Sequence, residues 1–223
     1  MRTKLWKGML AAVAAVGLLA GTAMADTLEL GFSNTTGGGF KITGNGDGTG
    51  TIDLFGMVIQ GTNPGNVGIE GYTVGNMSFN YISTTGAAPG IVTFDPGFYA
   101  NGFNIYDGST LVLTADLTMP IMEYTTRLIG VNYSGDLLIN LSNVQVTSGY
   151  SSPILDQFAL YPDGVLVITM NSTRDLGNIL NTKGTYNGNT LSGTGSPVPE
   201  PATMLLFGAG LLGLSGIARR KMS

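Results

Sequence analysis

The chain contains no cysteine and no histidine among its 223 residues. Without cysteine there are no disulfides, so the fold must be stabilised by its own hydrophobic core. Without either residue type, the chain cannot form a Ser-His-Asp triad, a Cys-His dyad or a zinc site built from His and Cys ligands. Most of the common catalytic machinery is therefore excluded, and we expect no catalytic residues, no metal site and no cofactor.

Basic residues are also scarce in the middle of the chain. Between residues 26 and 196 there are four basic and thirteen acidic residues, which give a net charge of −9. Such a surface repels phosphate backbones, so nucleic acid is not an expected partner. The four basic residues are Lys41, Arg127, Arg174 and Lys183.

The first 25 residues are typical of a secretory signal peptide. A basic segment precedes an apolar run from Met9 to Ala20, and Ala23-Met24-Ala25 is a small-x-small cleavage site. The apolar run is shorter than the roughly 20 residues that a membrane-spanning helix needs. We therefore predict residues 1–25 to be a signal peptide, with Ala23 and Ala25 directing its cleavage. An uncleaved N-terminal anchor is the alternative.

Residues 26–181 have the pattern of a β-rich ectodomain. Apolar residues recur with a period of two, as in Leu28, Leu30 and Phe32, and glycine-rich turns such as Gly44–Gly48 separate such runs. Ten or so short strands without long helical segments predict an all-β fold, either an antiparallel β-sandwich or a barrel-like ectodomain. The segment Asn45-Gly46-Asp47-Gly48 resembles part of a calcium loop but lacks the flanking ligands, so a hairpin turn is favoured.

Two segments depart from this pattern. Residues 152–160 carry a capping serine and a proline at the first helical position, which predict at most one short helix in the domain. The alternative is a strand of a hairpin centred on residues 163–164. Residues 182–196 are polar and rich in Gly, Ser, Thr and Asn, so we predict a flexible linker with at most a weak strand over 184–191.

Acidic pairs are the catalytic option that remains, as in glycoside hydrolysis. Several carboxylates precede Gly or Pro in apparent turns, which explains them without catalysis. We therefore predict that the protein is not an enzyme, and a carboxylate-based glycoside hydrolase is the least favoured alternative. The carboxylates that lie beside aromatic-rich strands are Asp95, Asp107, Asp116, Glu123 and Asp136.

The nine tyrosines suggest a second alternative, a carbohydrate- or exopolysaccharide-binding module. Flat aromatic rings suit the apolar faces of sugars, although tyrosines in strands also pack against one another within the sheet. The tyrosines in the strand-like segments include Tyr72, Tyr81, Tyr99, Tyr106, Tyr124 and Tyr133.

Residues 197–223 have three parts in a fixed order. They are the triplet Pro199, Glu200 and Pro201, an apolar run over 202–218, and the basic cluster Arg219, Arg220 and Lys221. An apolar helix of this length, about 26 Å, reaches the lower limit for crossing a bilayer, and the basic cluster would stay in the cytoplasm. We therefore predict a single transmembrane helix over 202–218, with the ectodomain in the periplasm.

At these residues, from Val198 to Lys221, the chain resembles the PEP-CTERM sorting-signal family. The resemblance implies a Gram-negative bacterial exported protein whose tail is recognised at Pro199, Glu200 and Pro201 by an exosortase-type membrane enzyme. It also implies inner-membrane anchoring before processing, and then the cell surface or an extracellular matrix that contains exopolysaccharide. Because the family shares its tail and not its ectodomains, the expected role of residues 26–196 is a non-catalytic surface or matrix protein.

Overall fold

The computed structural model describes residues 28–61, 64–85, 90–95, 97–127 and 132–198. The signal-peptide prediction, with Ala23 and Ala25, lies outside these residues. So do the triplet of residues 199–201, the helix over 202–218 and the basic cluster of residues 219–221. Within the described ranges, no helix is long and apolar enough to cross a membrane.

The described residues form eleven strands, two α-helices and one short 3-10 helix. The strands are β1 Leu30–Gly44, β2 Gly50–Ile59, β3 Thr73–Val74, β4 Met77–Thr84, β5 Gly90–Phe94, β6 Phe98–Asp107, β7 Thr110–Arg127, β8 Asn132–Val146, β9 Gly164–Ser172, β10 Gly184–Gly188 and β11 Thr190–Pro197. The helices are the 3-10 helix Pro64–Asn66, α1 Pro153–Leu160 and α2 Leu176–Asn181.

Eight of these strands close into an antiparallel barrel in the order β1-β2-β4-β5-β7-β8-β9-β11, with β11 hydrogen-bonded back to β1. Strands β3 and β6 make a second link between β2 and β7. The all-β prediction is confirmed, and the barrel is formed rather than the sandwich. Closure gives the barrel strands partners on both sides, which protects edges that would otherwise pair with other chains.

Strand β1 completes the barrel because it changes partner halfway along. Residues Leu30–Ser33 pair with β11, whereas Phe40–Gly44 pair with β10, and both halves pair with β2 on the opposite edge. The register with β2 shifts between Asn34 and Gly39. The apolar alternation over residues 27–33 and again over 40–43 predicts two separate strands, and this irregularity joins them into one bent strand.

The hydrophobic core fills the inside of the barrel. Strand β2 shows the alternation that places it there, since Ile52 and Leu54 are fully buried while Thr51 and Asp53 are only partly so. Phenylalanines contribute the largest buried side chains together with Tyr81. They are Phe32, Phe40, Phe79, Phe103 and Phe158.

Helix α1 confirms the helical interpretation of residues 152–160. The Ser152 side chain accepts a hydrogen bond from the Leu155 amide at 3.2 Å, and Pro153 occupies the first turn. Ile154, Leu155 and Phe158 are buried, and the helix packs on β8 and the 3-10 helix. The apolar face of α1 therefore covers one end of the barrel.

Helix α2 corrects the prediction of at most one short helix. Asp175 caps it by accepting hydrogen bonds from the amides of Gly177 and Asn178, and Leu176 and Leu180 are buried. The helix has only six residues and three of them, one glycine and two asparagines, are weak helix formers, so its sequence gives too short and weak a pattern to predict a helix. It packs on β1, β4 and β8 and covers the end of the barrel opposite α1.

Residues 182–196 are not a flexible linker, so that prediction is also corrected. They form β10 and β11, and β11 lies inside the sheet between β1 and β9. The glycines and small polar residues suit close packing against neighbouring strands, for example where Gly193 faces Phe32. Composition could not distinguish this strand from a linker, because buried glycine and solvated glycine look the same in a sequence.

The turn at Gly44–Gly48 forms the predicted hairpin between β1 and β2. The Asn45 amide donates to the Thr49 carbonyl at 2.9 Å, and the Asp47 carboxylate accepts hydrogen bonds from the Thr49 hydroxyl and amide. These bonds hold the pKa of Asp47 below its usual value. The acidic group of this segment is therefore used within the turn.

Candidate functional site

A polar groove lies at the end of the barrel covered by α2. Two adjoining cavities, of about 580 and 820 Å³, share Thr173, Arg174, Thr185 and Tyr186 and together make one open depression. We call it the Arg174 groove; it is formed by residues 133, 171–175, 178, 179, 182–187, 189 and 190. The loop before α2 and strand β10 supply most of it.

Tyr186 is held in the wall of this groove from three sides. Its hydroxyl lies 2.9 Å from the hydroxyl of Ser172, which is buried. Its ring packs against Phe40 with a centroid separation of 6.1 Å, and the Arg174 guanidinium lies 5.9 Å from the ring centroid. The ring therefore has a defined position, and the cation–π contact places the Arg174 side chain over it.

Ser172 also fixes the backbone of Arg174. Its hydroxyl donates to the Arg174 carbonyl at 2.7 Å and accepts from the Arg174 amide at 2.9 Å. A single buried hydroxyl thus orients both the ring and the loop that carries the guanidinium. The position of Arg174 is determined by the barrel even though its side chain is exposed.

The Arg174 groove contains two exposed cations, Arg174 and Lys183. Among the described residues, the ion pair within 4 Å is the one between Lys41 and Asp53 at 2.8 Å, so neither Arg174 nor Lys183 is paired within that part of the chain. Asp175 also lines the groove, and its Oδ1 accepts hydrogen bonds from the Gly177 and Asn178 amides. Two cations and one carboxylate therefore give the groove a net charge of +1 on a strongly acidic domain.

Among the carboxylates considered for catalysis, Asp116 and Asp136 accept structural hydrogen bonds. Asp116 accepts hydrogen bonds from the Asn101 amide at 2.8 Å and from the Asn143 side chain at 3.2 Å. Asp107 ends β6 at the turn before β7, and Asp95 lies exposed after β5. Asp107 and Asp95 therefore lie in the turn and loop positions that the sequence indicates for them.

Glu123 and Asp136 are the two candidate catalytic carboxylates that the barrel brings together. They are direct partners across β7 and β8. Glu123 is exposed, whereas Asp136 is half-buried and accepts a hydrogen bond from Thr169 at 2.7 Å. Neither residue lines the Arg174 groove. Within the described residues, no cluster of three or more Asp or Glu side chains is placed to hold a metal ion.

A second, smaller crevice of about 350 Å³ lies between β4 and β6, where these strands are not hydrogen-bonded to each other. Its lining includes Met77, Phe79, Tyr99 and Leu117 and no charged side chain. The Tyr99 ring packs edge-on against Phe79 at 5.2 Å. This crevice lacks the convergent polar and charged groups of the Arg174 groove, which is therefore the better candidate.

The tyrosines whose side chains the structure describes do not line one face of the barrel. Tyr81 is in the core, Tyr99 packs on Phe79, and Tyr72 packs edge-on against Tyr150 at 6.3 Å. Of the six tyrosines weighed as sugar platforms, Tyr133 lies in the Arg174 groove. Tyr186, together with Arg174 and Lys183, was missed because no spacing in the sequence connects them.

The fold and the groove define this chain as an antiparallel β-barrel protein with a polar, partly cationic groove at one end. A family model of the PEP-CTERM protein-sorting motif matches residues 197–221, which confirms the resemblance of the tail. Comparisons with curated proteins and with solved structures found no match. The motif implies export, membrane anchoring before processing, and an exosortase as the processing partner.

Proposed function

We propose that the barrel is a non-catalytic protein of the cell surface or extracellular matrix, released there when an exosortase removes the tail. The sorting motif that follows β11 directly is the observation that carries this proposal. The use of Asp116, Asp136 and Asp175 as structural hydrogen-bond acceptors supports a role without catalysis.

The position of β11 restricts where the tail can be cut in the folded protein. Strand β11 pairs with β9 as far as Pro197, opposite Gly164, and the Val198 amide donates to the Asp163 carbonyl at 2.9 Å. Residues before Val198 are therefore occupied by barrel pairing. A peptidase that needs an extended, accessible substrate can act only beyond them.

Mass spectrometry of the protein released from the cell surface tests this. We expect a mature C-terminus at Val198 or a few residues beyond it. A Glu200→Gln variant should retain the tail. A strain without the exosortase is the control and should keep the uncut chain in the membrane fraction. Released protein that ends at residue 223 would contradict processing, and an end within residues 190–196 would contradict a barrel that includes β11.

The second candidate function is saccharide binding, which the Arg174 groove favours. The groove combines the half-buried ring of Tyr133 with many hydroxyl and amide side chains. A tyrosine ring can stack on a sugar, and hydroxyl and amide groups exchange hydrogen bonds with sugar hydroxyls. A matrix protein with such a groove would be retained by the exopolysaccharide around the cell.

A further inference from the structure

We infer that the Arg174 groove binds a saccharide that carries carboxylates, such as a uronic acid polymer, in preference to a neutral one. This inference rests on the second candidate function, saccharide binding. It adds the charge of the ligand and the residues that recognise it.

Arg174 is the group that would recognise a carboxylate. Its guanidinium offers a planar set of N–H donors that matches the two oxygens of a carboxylate. The contact with the Tyr186 ring and the bonds from Ser172 to the Arg174 backbone hold it in the groove before a ligand arrives. Less side-chain freedom is then lost on binding.

Lys183 supplies a second positive charge in the same groove. At physiological ionic strength the Debye length is about 8 Å, so a ligand inside the groove responds mainly to the charges that line it. The net charge of −9 on the whole domain then acts weakly at this point. It still opposes polymers of very high charge density, and duplex DNA, with one charge per roughly 1.7 Å, is such a polymer.

The rest of the groove matches a sugar better than an isolated anion. Apart from Asp175, the polar side chains beside the two cations are neutral hydrogen-bonding groups, and Tyr133 lines the groove from β8. A polymer with one carboxylate per sugar can place a charge on Arg174 and hydroxyls on the neutral positions. The neutral positions are Thr173, Asn178, Thr185, Asn187, Asn189 and Thr190.

The test compares two polymers with the same backbone. The full chain, kept in mild detergent, is titrated with polygalacturonate and with its methyl ester, in which the carboxylates are blocked. We expect polygalacturonate to bind at least about tenfold more tightly, because a charge-assisted pair with Arg174 is lost in the ester. Equal binding of the two would overturn the charge preference while leaving saccharide binding in place. Binding of neither would overturn both, and tail processing would be unaffected.

Variants test whether the groove residues cause the preference for the carboxylated polymer. Arg174→Gln should lower the affinity for polygalacturonate about tenfold, and Arg174→Lys should lower it less, because the charge remains and the planar fork is lost. Lys183→Gln should also weaken binding. The control is Lys41→Gln, which removes the same charge from a residue that is paired with Asp53 and does not line the groove; it should lower the affinity much less than Arg174→Gln does. An equal loss in Lys41→Gln would show that net charge, not the groove, determines binding.

Discussion

At the scale of single residues, two buried polar side chains determine how the ends of the barrel are closed. The Tyr81 hydroxyl donates to the Leu180 carbonyl at 2.9 Å and so ties β4 to α2. At the other end, the Asn66 side chain donates to the carbonyls of Gly31 and Gln60, both at 2.6 Å, and accepts from the Gly31 amide. The Asn66 side chain thereby forms hydrogen bonds with the backbone of β1 as a neighbouring strand would.

Replacement of Tyr81 by Phe has a pH-dependent effect that can be predicted. At pH 7 the variant loses one buried hydrogen bond and should be less stable by about 1 kcal/mol. Burial raises the pKa of Tyr81 to about 12 in the folded protein, against an ordinary value of 10.0. The hydroxyl therefore ionises in the unfolded chain before it does so in the folded one, and the wild type loses stability as the pH rises above 10.

Phenylalanine cannot ionise, so the stability advantage of the wild type over Tyr81→Phe should fall steadily between pH 9 and pH 11.5. Urea denaturation of both proteins at a series of pH values measures this difference. The remaining tyrosines are present in both proteins and cancel in the comparison. A difference that stays constant over this range would contradict the burial of the hydroxyl under α2.

At the scale of elements, β11 shows how glycines allow close packing against aromatic rings. Gly193 lies opposite Phe32 across β1 and β11, and Gly188 lies opposite Phe40 across β1 and β10. A Cβ atom at either glycine would overlap the facing ring. The rings cover the backbone of the glycines, a device that compensates for the missing side chain in a strand.

A pair of glycine variants on β11 tests this packing. Gly193→Ala should lower the free energy of unfolding by about 1–3 kcal/mol, because the Phe32 ring or the strand must move. Gly195→Ala is the matched control, since its Cβ would lie 3.6 Å from the nearest atoms of Leu166 and Leu30, an ordinary contact. Thermal or urea unfolding of the two variants gives the comparison. Equal stability of both would show that β11 does not pack on Phe32 as described.

At the scale of the whole molecule, closure depends on the last strands of the chain. Strand β11 is hydrogen-bonded to β1 over Leu30–Ser33 and to β9 over residues 164–171. Without it, both strands would have an open edge and the core residue Leu191 would be missing. The barrel can therefore close only when nearly all of residues 28–198 are present.

Two truncated chains test this dependence. A chain of residues 26–198 should unfold cooperatively, whereas a chain of residues 26–181, cut at the predicted domain end, should not form a cooperatively folded barrel. Far-UV circular dichroism with thermal melting distinguishes the two. A chain of residues 26–181 that melted like the longer one would restore the interpretation of residues 182–196 as a linker.

Sequence patterns were most reliable where local chemistry alone decides the structure. The apolar alternation over residues 90–94 predicts the strand β5 that forms there, and α1 has the cap and the proline that predict it. The pattern is a poorer guide where a strand continues past a break. It predicts separate strands over residues 111–117 and 121–131, but β7 runs through Pro120, with a register shift between Thr118 and Ile121 that absorbs the proline.

The sequence by itself determined the β class, the short helix α1, the acidic character of the domain and the sorting motif over residues 197–221. All of these depend on composition or on neighbouring residues, so they can be read along the chain. The tertiary structure decided that the sheet closes into a barrel, that residues 184–197 belong to it, and that Arg174, Lys183, Tyr133 and Tyr186 share one groove. These features depend on pairing between distant strands, such as β1 with β11, and such contacts leave no local pattern in a single sequence.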